Sequence, residues 1–205
     1  MVKVETFCDH PNNANTYLIK KDGHGIIIDP ANNLKTLQRF CDGVIIDAIF
    51  LTHGHYDHFK NLEAIMKHFD VKCYMHKDAK KKIFDINSSY AYAFGCNIVP
   101  NINQEELILI QKEQKIIIGS FEVEVVFTPG HTNCSVIYII DNYMFSGDTL
   151  FKNSVGRTDL ATGNPIVLNN TLDKIRKIKQ NYEVYPGHED NTTLFDEIKY
   201  NPYLR

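Results

Sequence analysis

Four times along this chain an apolar, strand-like run breaks off and a metal-binding type of side chain follows at once. The richest case is Thr52-His53-Gly54-His55-Tyr56-Asp57-His58, directly after Ala48-Ile49-Phe50-Leu51. Three imidazoles and a carboxylate fall within six residues there, and these are ligand types that borderline divalent metals take. His53 and His55 alternate, so they can share one side of an extended segment. Asp57 and His58 are adjacent where a helix is expected to begin, with Asp57 as its N-cap. The other cases are Pro129-Gly130-His131, Ser146-Gly147-Asp148 and Pro186-Gly187-His188. Glycine lets the backbone turn sharply and approach a ligand closely, and loops at strand ends are where scaffolds present chemistry. One ion with three or four ligands does not need all of these donors, so two metals are expected.

The runs between these sites alternate strand and helix patterns. Thr16–Ile19, a turn at Lys21-Asp22-Gly23 and Ile26–Ile28 ending at Asp29-Pro30 read as a hairpin with a stop. Leu34–Cys41 carries helical spacing, Val44–Leu51 reads as a buried strand, and Phe59, Leu62, Ile65, Met66 and Phe69 continue a helix after His58. A strand is expected over Val71–His76 and a basic helix over Lys77–Ile86. In the second half, Lys115–Ile118 with Phe121–Phe127, and Ser135–Ile140 with Tyr143–Phe145, form two further hairpins. Leu168, Leu172, Ile175 and Ile178 mark a helix, and Val184-Tyr185 a short strand. Two similar halves of this kind predict stacked β-sheets covered by helices, in one domain over residues 1–205.

Composition narrows the partners. A formal charge of −3 gives no electrostatic case for nucleic acid. The N-terminus lacks a signal-peptide apolar region, and the longest apolar run, Val44–Leu51, is interrupted by Asp47, so neither export nor a membrane span is expected. Five cysteines without CxxC spacing suggest reduced thiols in a cytoplasmic protein. Cys134, near a candidate ligand, reads as a small buried hydrophobe.

The HxHxDH run, followed in order by His131, Asp148 and His188, resembles the metallo-β-lactamase superfamily, and within it the small glyoxalase II-like hydrolases. The likeness extends to Asn15-Thr16-Tyr17-Leu18, Ile28-Asp29-Pro30, Thr128-Pro129-Gly130-His131-Thr132, Ser146-Gly147-Asp148-Thr149-Leu150-Phe151, Gly156-Arg157-Thr158-Asp159 and Asn201-Pro202-Tyr203-Leu204. It implies an α/β fold, an αββα sandwich with the metal site at the sheet edge. It also implies that His53, His55 and His131 hold one metal, that Asp57, His58 and His188 hold the second, and that Asp148 bridges. Asp29 would support the ligands from behind, or simply end a strand. Zinc is the expected ion, with iron or manganese also suited to this nitrogen and oxygen set.

The implied activity is hydrolysis of a small thioester, hydroxyacylglutathione hydrolase-like, with a metal-bridging hydroxide held by Asp148 as nucleophile. Asp57 is a candidate proton relay. The alternative on the same fold is a mononuclear iron persulfide dioxygenase, which binds its iron through two His and one Asp. A β-lactamase is disfavoured, because Asp148 stands where the best-known zinc enzymes place Cys. Several positions depart from the family pattern. Lys60-Asn61 replace glycines, Ala31 follows Asp29-Pro30, and Glu189 follows the last His. Seventeen residues follow His188, so the helical C-terminal region by which glyoxalase II binds glutathione is not expected. Arg157, Lys152 and Tyr90 are candidate substrate contacts. Arg157 could equally pair with Asp159, and Ser89–Gly95 could wall the pocket or pack as core.

Overall fold

The apolar runs form strands buried on both sides, which is why they read as continuous rather than alternating. The computed structural model describes residues 1–205. Its first sheet has six strands in the order of the chain: β1 (Lys3–Phe7), β2 (Thr16–Lys21), β3 (His24–Ile28), β4 (Ile45–Leu51), β5 (Cys73–His76) and β6 (Leu107–Ile110). The pairs β1–β2 and β2–β3 are antiparallel, and the remaining neighbours are parallel. Four helices connect these strands: α1 (Leu34–Gln38), α2 (Tyr56–Phe59), α3 (Leu62–Phe69) and α4 (Lys77–Ile83).

The second half contributes β7 (Gln114–Ile118), β8 (Phe121–Phe127), β9 (Val136–Ile140) and β10 (Tyr143–Gly147). A short ribbon of β11 (Leu150–Phe151) and β12 (Ser154–Val155) follows, then α5 (Pro165–Arg176), β13 (Glu183–Pro186), β14 (Thr192–Thr193) and α6 (Leu194–Tyr200). Its six-stranded sheet is ordered β14-β13-β10-β9-β8-β7, with β10 and β13 parallel.

Alternation along each strand sorts the core into three apolar layers. Ile26, Ile28 and Phe50 face Val136, Tyr138 and Phe145 between the sheets. Ile27, Ile49 and Leu51 turn outward onto Leu62, Ile65 and Met66 of α3. Ile137, Ile139 and Met144 turn the other way onto Leu168 and Leu172 of α5. The architecture is therefore an αββα sandwich.

Local chemistry moved several boundaries. The expected helix after His58 is two helices, because Asn61 leaves helical geometry and ties back to the loop after β3. Its N–H donates to the Pro30 carbonyl (3.0 Å) and its side-chain amide to the Ala31 carbonyl (2.7 Å). Asp57 is not the N-cap: His55, with extended backbone, holds that position and Asp57 lies in the first turn of α2. The helix therefore starts two residues earlier than expected, and the Tyr56 N–H, free of the helical ladder, donates to the Ser89 carbonyl. The basic helix stops at Ile83, where the Asp85 carboxylate captures the Asn87 N–H and the Ser88 hydroxyl instead. Conversely, α5 begins at Pro165 because the Asn164 side chain caps Ile166 and Val167. Strands β1 and β6 and helix α6 were not anticipated.

Candidate metal centre

Each candidate ligand sits just beyond the C-terminal end of a strand: His53, His55, Asp57 and His58 after β4, His131 after β8, Asp148 after β10, and His188 after β13. The fold brings all seven together. Their donor atoms form overlapping groups, each within 4.8 Å: His53, His55 and His131; His53, His58 and Asp148; Asp57, His58 and His188. His53 Nε2 and His131 Nε2 lie 3.1 and 2.9 Å from His55 Nδ1. Asp148 faces both sides of the cluster, with Oδ1 3.1 Å from His58 Nε2 and Oδ2 3.5 and 3.8 Å from the Nε2 atoms of His131 and His188. Asp57 Oδ2 lies 3.1 Å from His188 Nε2.

Outer contacts aim these rings inward. His58 Nδ1 donates to Asp29 Oδ2 (2.7 Å), and His131 Nδ1 donates to the Arg157 carbonyl (2.7 Å), so each presents Nε2 to the cluster. Asp29 is buried at the end of β3 and also accepts the Thr52 N–H (2.8 Å) and hydroxyl (2.6 Å). One carboxylate thus ties the start of the His-rich turn to its last histidine. Asn15 holds the opposite wall, donating through its backbone N–H to the Gly187 carbonyl and through its side chain to the carbonyls of Pro186 and Glu189. Lys82, itself buried, lays its stem against Gly54, where a Cβ would come within 2.7 Å of Lys82 Cβ. Its ammonium donates to Thr162 Oγ1 (2.8 Å). Thr52, Asn15 and Lys82 were missed as supports; Thr52 opens the His-rich run and Asn15 lies within Asn15-Thr16-Tyr17-Leu18, while Lys82 carried no signal.

The donor set fits divalent ions. His58 Nε2 and Asp148 Oδ1 face each other across the cluster at 3.1 Å, both buried and without a well-formed hydrogen bond, a costly state that an ion bound by both would relieve. A tetrahedral ion with Zn–N bonds of about 2.0–2.1 Å spreads its nitrogens about 3.3 Å apart, a few tenths of an ångström wider than the spacings around His55.

Burial, reinforced by neighbouring imidazoles, holds His53 well below the ordinary histidine range and pushes His55 down to about 3. Both are neutral bases, the form that binds metal. For His58, burial opposes the charged form, but the carboxylates of Asp148, Asp29 and Asp57 outweigh it and hold its pKa well above the usual range. His188 is raised in the same way, burial being outweighed mainly by its hydrogen bond to Asp57. A raised pKa means that metal-free His58 is protonated at pH 7, and a metal must displace that proton. Uptake of a divalent ion at pH 7 is therefore expected to release about one proton or more per chain, with apparent affinity rising through neutrality. Calorimetric titration in two buffers of unequal ionisation heat checks this; a heat independent of buffer would contradict it.

The cluster floors a cavity of about 570 Å³ walled by Tyr90, Phe94, Phe151 and Leu160. The Ser89–Gly95 segment therefore contributes a wall through a short 3-10 turn at Ala91–Phe94, and Tyr90 Oη accepts the Ala161 N–H across the pocket. Arg157 lines the cavity, but its guanidinium forks onto Asp159 through two contacts of 2.6 Å. Lys152 reaches Asp190 at 3.5 Å, and the exposed Glu189 sits at the rim.

This geometry has relatives. The model of the metallo-beta-lactamase superfamily matches residues 10–188, a span that contains all seven donors. The probable metallo-hydrolase YqgX of Bacillus subtilis is 31% identical over 201 residues, covering 95% of this chain and 93% of its own. The crystal structure of BLEG-1 B3 metallo-beta-lactamase superposes with a TM-score of 0.90 at 30% identity, covering 100% of this chain and 99% of that one. TTHA1623 in a di-iron-bound form superposes at 0.82 with 29% identity, covering 98% and 100%. Sequence match, fold and the ordered donor set agree: the chain belongs to the metallo-beta-lactamase superfamily.

Proposed function

We propose that this chain is a metal-dependent hydrolase that cleaves a small thioester at a dinuclear centre. The observation that carries the reading is the position of Asp148, whose two oxygens face both ends of one continuous donor cluster. His53, His55 and His131 would hold one ion; Asp57, His58 and His188 would hold the other; Asp148 would serve both. Two divalent ions held there, zinc being the expected pair, would lower the pKa of a bound water to about 7 and would polarise a carbonyl.

The remaining work falls to the protein. Asp29 and the Arg157 carbonyl keep His58 and His131 in the tautomer that points Nε2 inward. Tyr90 and Phe94 line the apolar side of the cavity, where an acyl group is screened from bulk water. Asp57 Oδ2, at the cavity surface beside His188, is placed to take and pass on a proton. No helix is long and apolar enough to cross a membrane. All five cysteines are free, as a reducing, cytoplasmic setting would keep them.

A second reading, β-lactam amide hydrolysis, is favoured by the likeness to BLEG-1. One experiment separates the readings: zinc-loaded and iron-loaded protein assayed on S-lactoylglutathione, on a β-lactam, and for oxygen uptake with glutathione persulfide. Thioester cleavage dominating by at least about tenfold in kcat/KM supports the proposal, a margin of about 1.4 kcal/mol in transition-state binding. Oxygen uptake by a one-iron form, or a dominant β-lactamase activity, overturns it.

A further inference from the structure

Beside the catalytic cavity lies a second recess of about 710 Å³, formed by His10, Asn12, Asn13, Tyr56, Lys60 and the edge of Ala93-Phe94. Ala93 and Phe94 line both spaces, so a molecule seated over the donor cluster can extend past Phe94 into the recess. Lys60 stands there on the exposed end of α2, where the family pattern has glycine.

Its charge is uncommitted. Lys60 has no carboxylate within salt-bridge distance; its ammonium donates to the neutral Asn13 Oδ1 at 2.9 Å. Asn13 is 4% exposed and is itself fixed by Asp9 Oδ1 at 2.7 Å, so the ammonium is held in place rather than left to wander. The nearby carboxylates are all engaged elsewhere. Asp57 faces His188, Glu63 accepts the Asn101 N–H, and Asp9 accepts from Asn13 and the Asn33 N–H. The other cations around the cluster differ: Arg157 is forked onto Asp159, Lys152 reaches Asp190, and Lys82 is buried behind Gly54 with its ammonium on Thr162.

We infer that this recess is a subsite for a carboxylate on the thiol arm of the substrate, with Lys60 as its anchor and the His10–Asn13 loop as its wall. The inference rests on the thioesterase reading for the identity of the arm, and its test keeps the two apart. An anion there meets an ammonium that is in direct ion pair with no carboxylate, with amide and imidazole groups beside it to complete its hydrogen bonds. The aromatic edges of Tyr56 and Phe94 flank the path of the arm.

The test compares wild type, Lys60→Gln and Lys60→Arg, all zinc-loaded. Binding of S-methylglutathione, an anionic thioether that cannot be hydrolysed, is measured by calorimetry at low and high salt. Turnover is measured on S-lactoylglutathione and on the uncharged S-lactoyl-N-acetylcysteamine. Lys60→Gln is expected to weaken S-methylglutathione binding about fivefold, as for one exposed charged contact, and Lys60→Arg to recover most of it. The salt dependence seen in wild type should largely disappear in Lys60→Gln. The KM for the glutathione thioester should rise about fivefold more than that for the uncharged one. If wild type cleaves neither thioester, the thioesterase reading fails while the binding arm still decides the subsite. Wild type that binds no S-methylglutathione, or Lys60→Gln that binds it as wild type does, overturns the subsite.

Discussion

Asp148→Asn is expected to empty both metal positions at once and to reduce kcat/KM by more than about 100-fold, beyond the loss typical of residues that merely support a ligand. The side chain is almost isosteric, so the effect is electronic. Oδ1 faces His58 Nε2 at 3.1 Å and Oδ2 faces His131 Nε2 at 3.5 Å. An amide keeps an oxygen toward one of these and turns an NH2 toward the other, where a lone pair is needed. It also removes the negative charge that, with Asp29 and Asp57, offsets the burial of His58. Elemental analysis of the variant beside wild type reads the outcome, with circular dichroism confirming the fold. Loss of one metal alone would mean that Asp148 serves a single position.

Gly187→Ala is expected to cost nearly as much without touching a ligand atom chemically. A Cβ at Gly187 would lie 2.1 Å from Asp148 Oδ1 and 2.7 Å from His58 Cε1, so something must move. The backbone cannot retreat easily, because the Gly187 N–H donates to the Gly147 carbonyl (2.8 Å) and its own carbonyl accepts the Asn15 N–H (2.7 Å). The carboxylate and imidazole therefore yield, and misplacement of reacting geometry by about 1 Å typically costs about 100-fold in rate. Overpacking adds a stability loss of about 1–3 kcal/mol. Steady-state kinetics and thermal melting of the metal-loaded variant check both parts. Near-wild-type kcat/KM would show that the donor cluster tolerates displacement.

Much of this centre was legible in the sequence because its donors are announced locally. Every ligand candidate follows a strand within a few residues, and the strands themselves are dense apolar runs that leave little ambiguity. Apart from Asp29, which the family resemblance pointed to, the supports were not legible, because they depend on contacts between distant segments. Nothing local says that Asp29 accepts from both Thr52 and His58, that Asn15 grips the Gly187 turn, or that the Lys82 stem covers Gly54. Nothing in the basic stretch Lys77–Ile86 distinguishes one lysine from the next, yet Lys82 is 4% exposed. Arg157 left two readings open, and the structure gives it Asp159 as a partner. Helix boundaries shifted where a side chain, such as Asn61 or Asp85, outcompeted the helical hydrogen bond. Strand β1 escaped notice because its alternating charges, Lys3 and Glu5, mask an edge strand paired on one side to β2.

Seven donors that share one carboxylate imply two ions in this site and not one. Elemental analysis of the purified full chain, after reconstitution with excess zinc and gel filtration, tests it most directly. About two ions per chain are expected, as two ligand groups sharing one carboxylate require. A stoichiometry that stays at one per chain would contradict it.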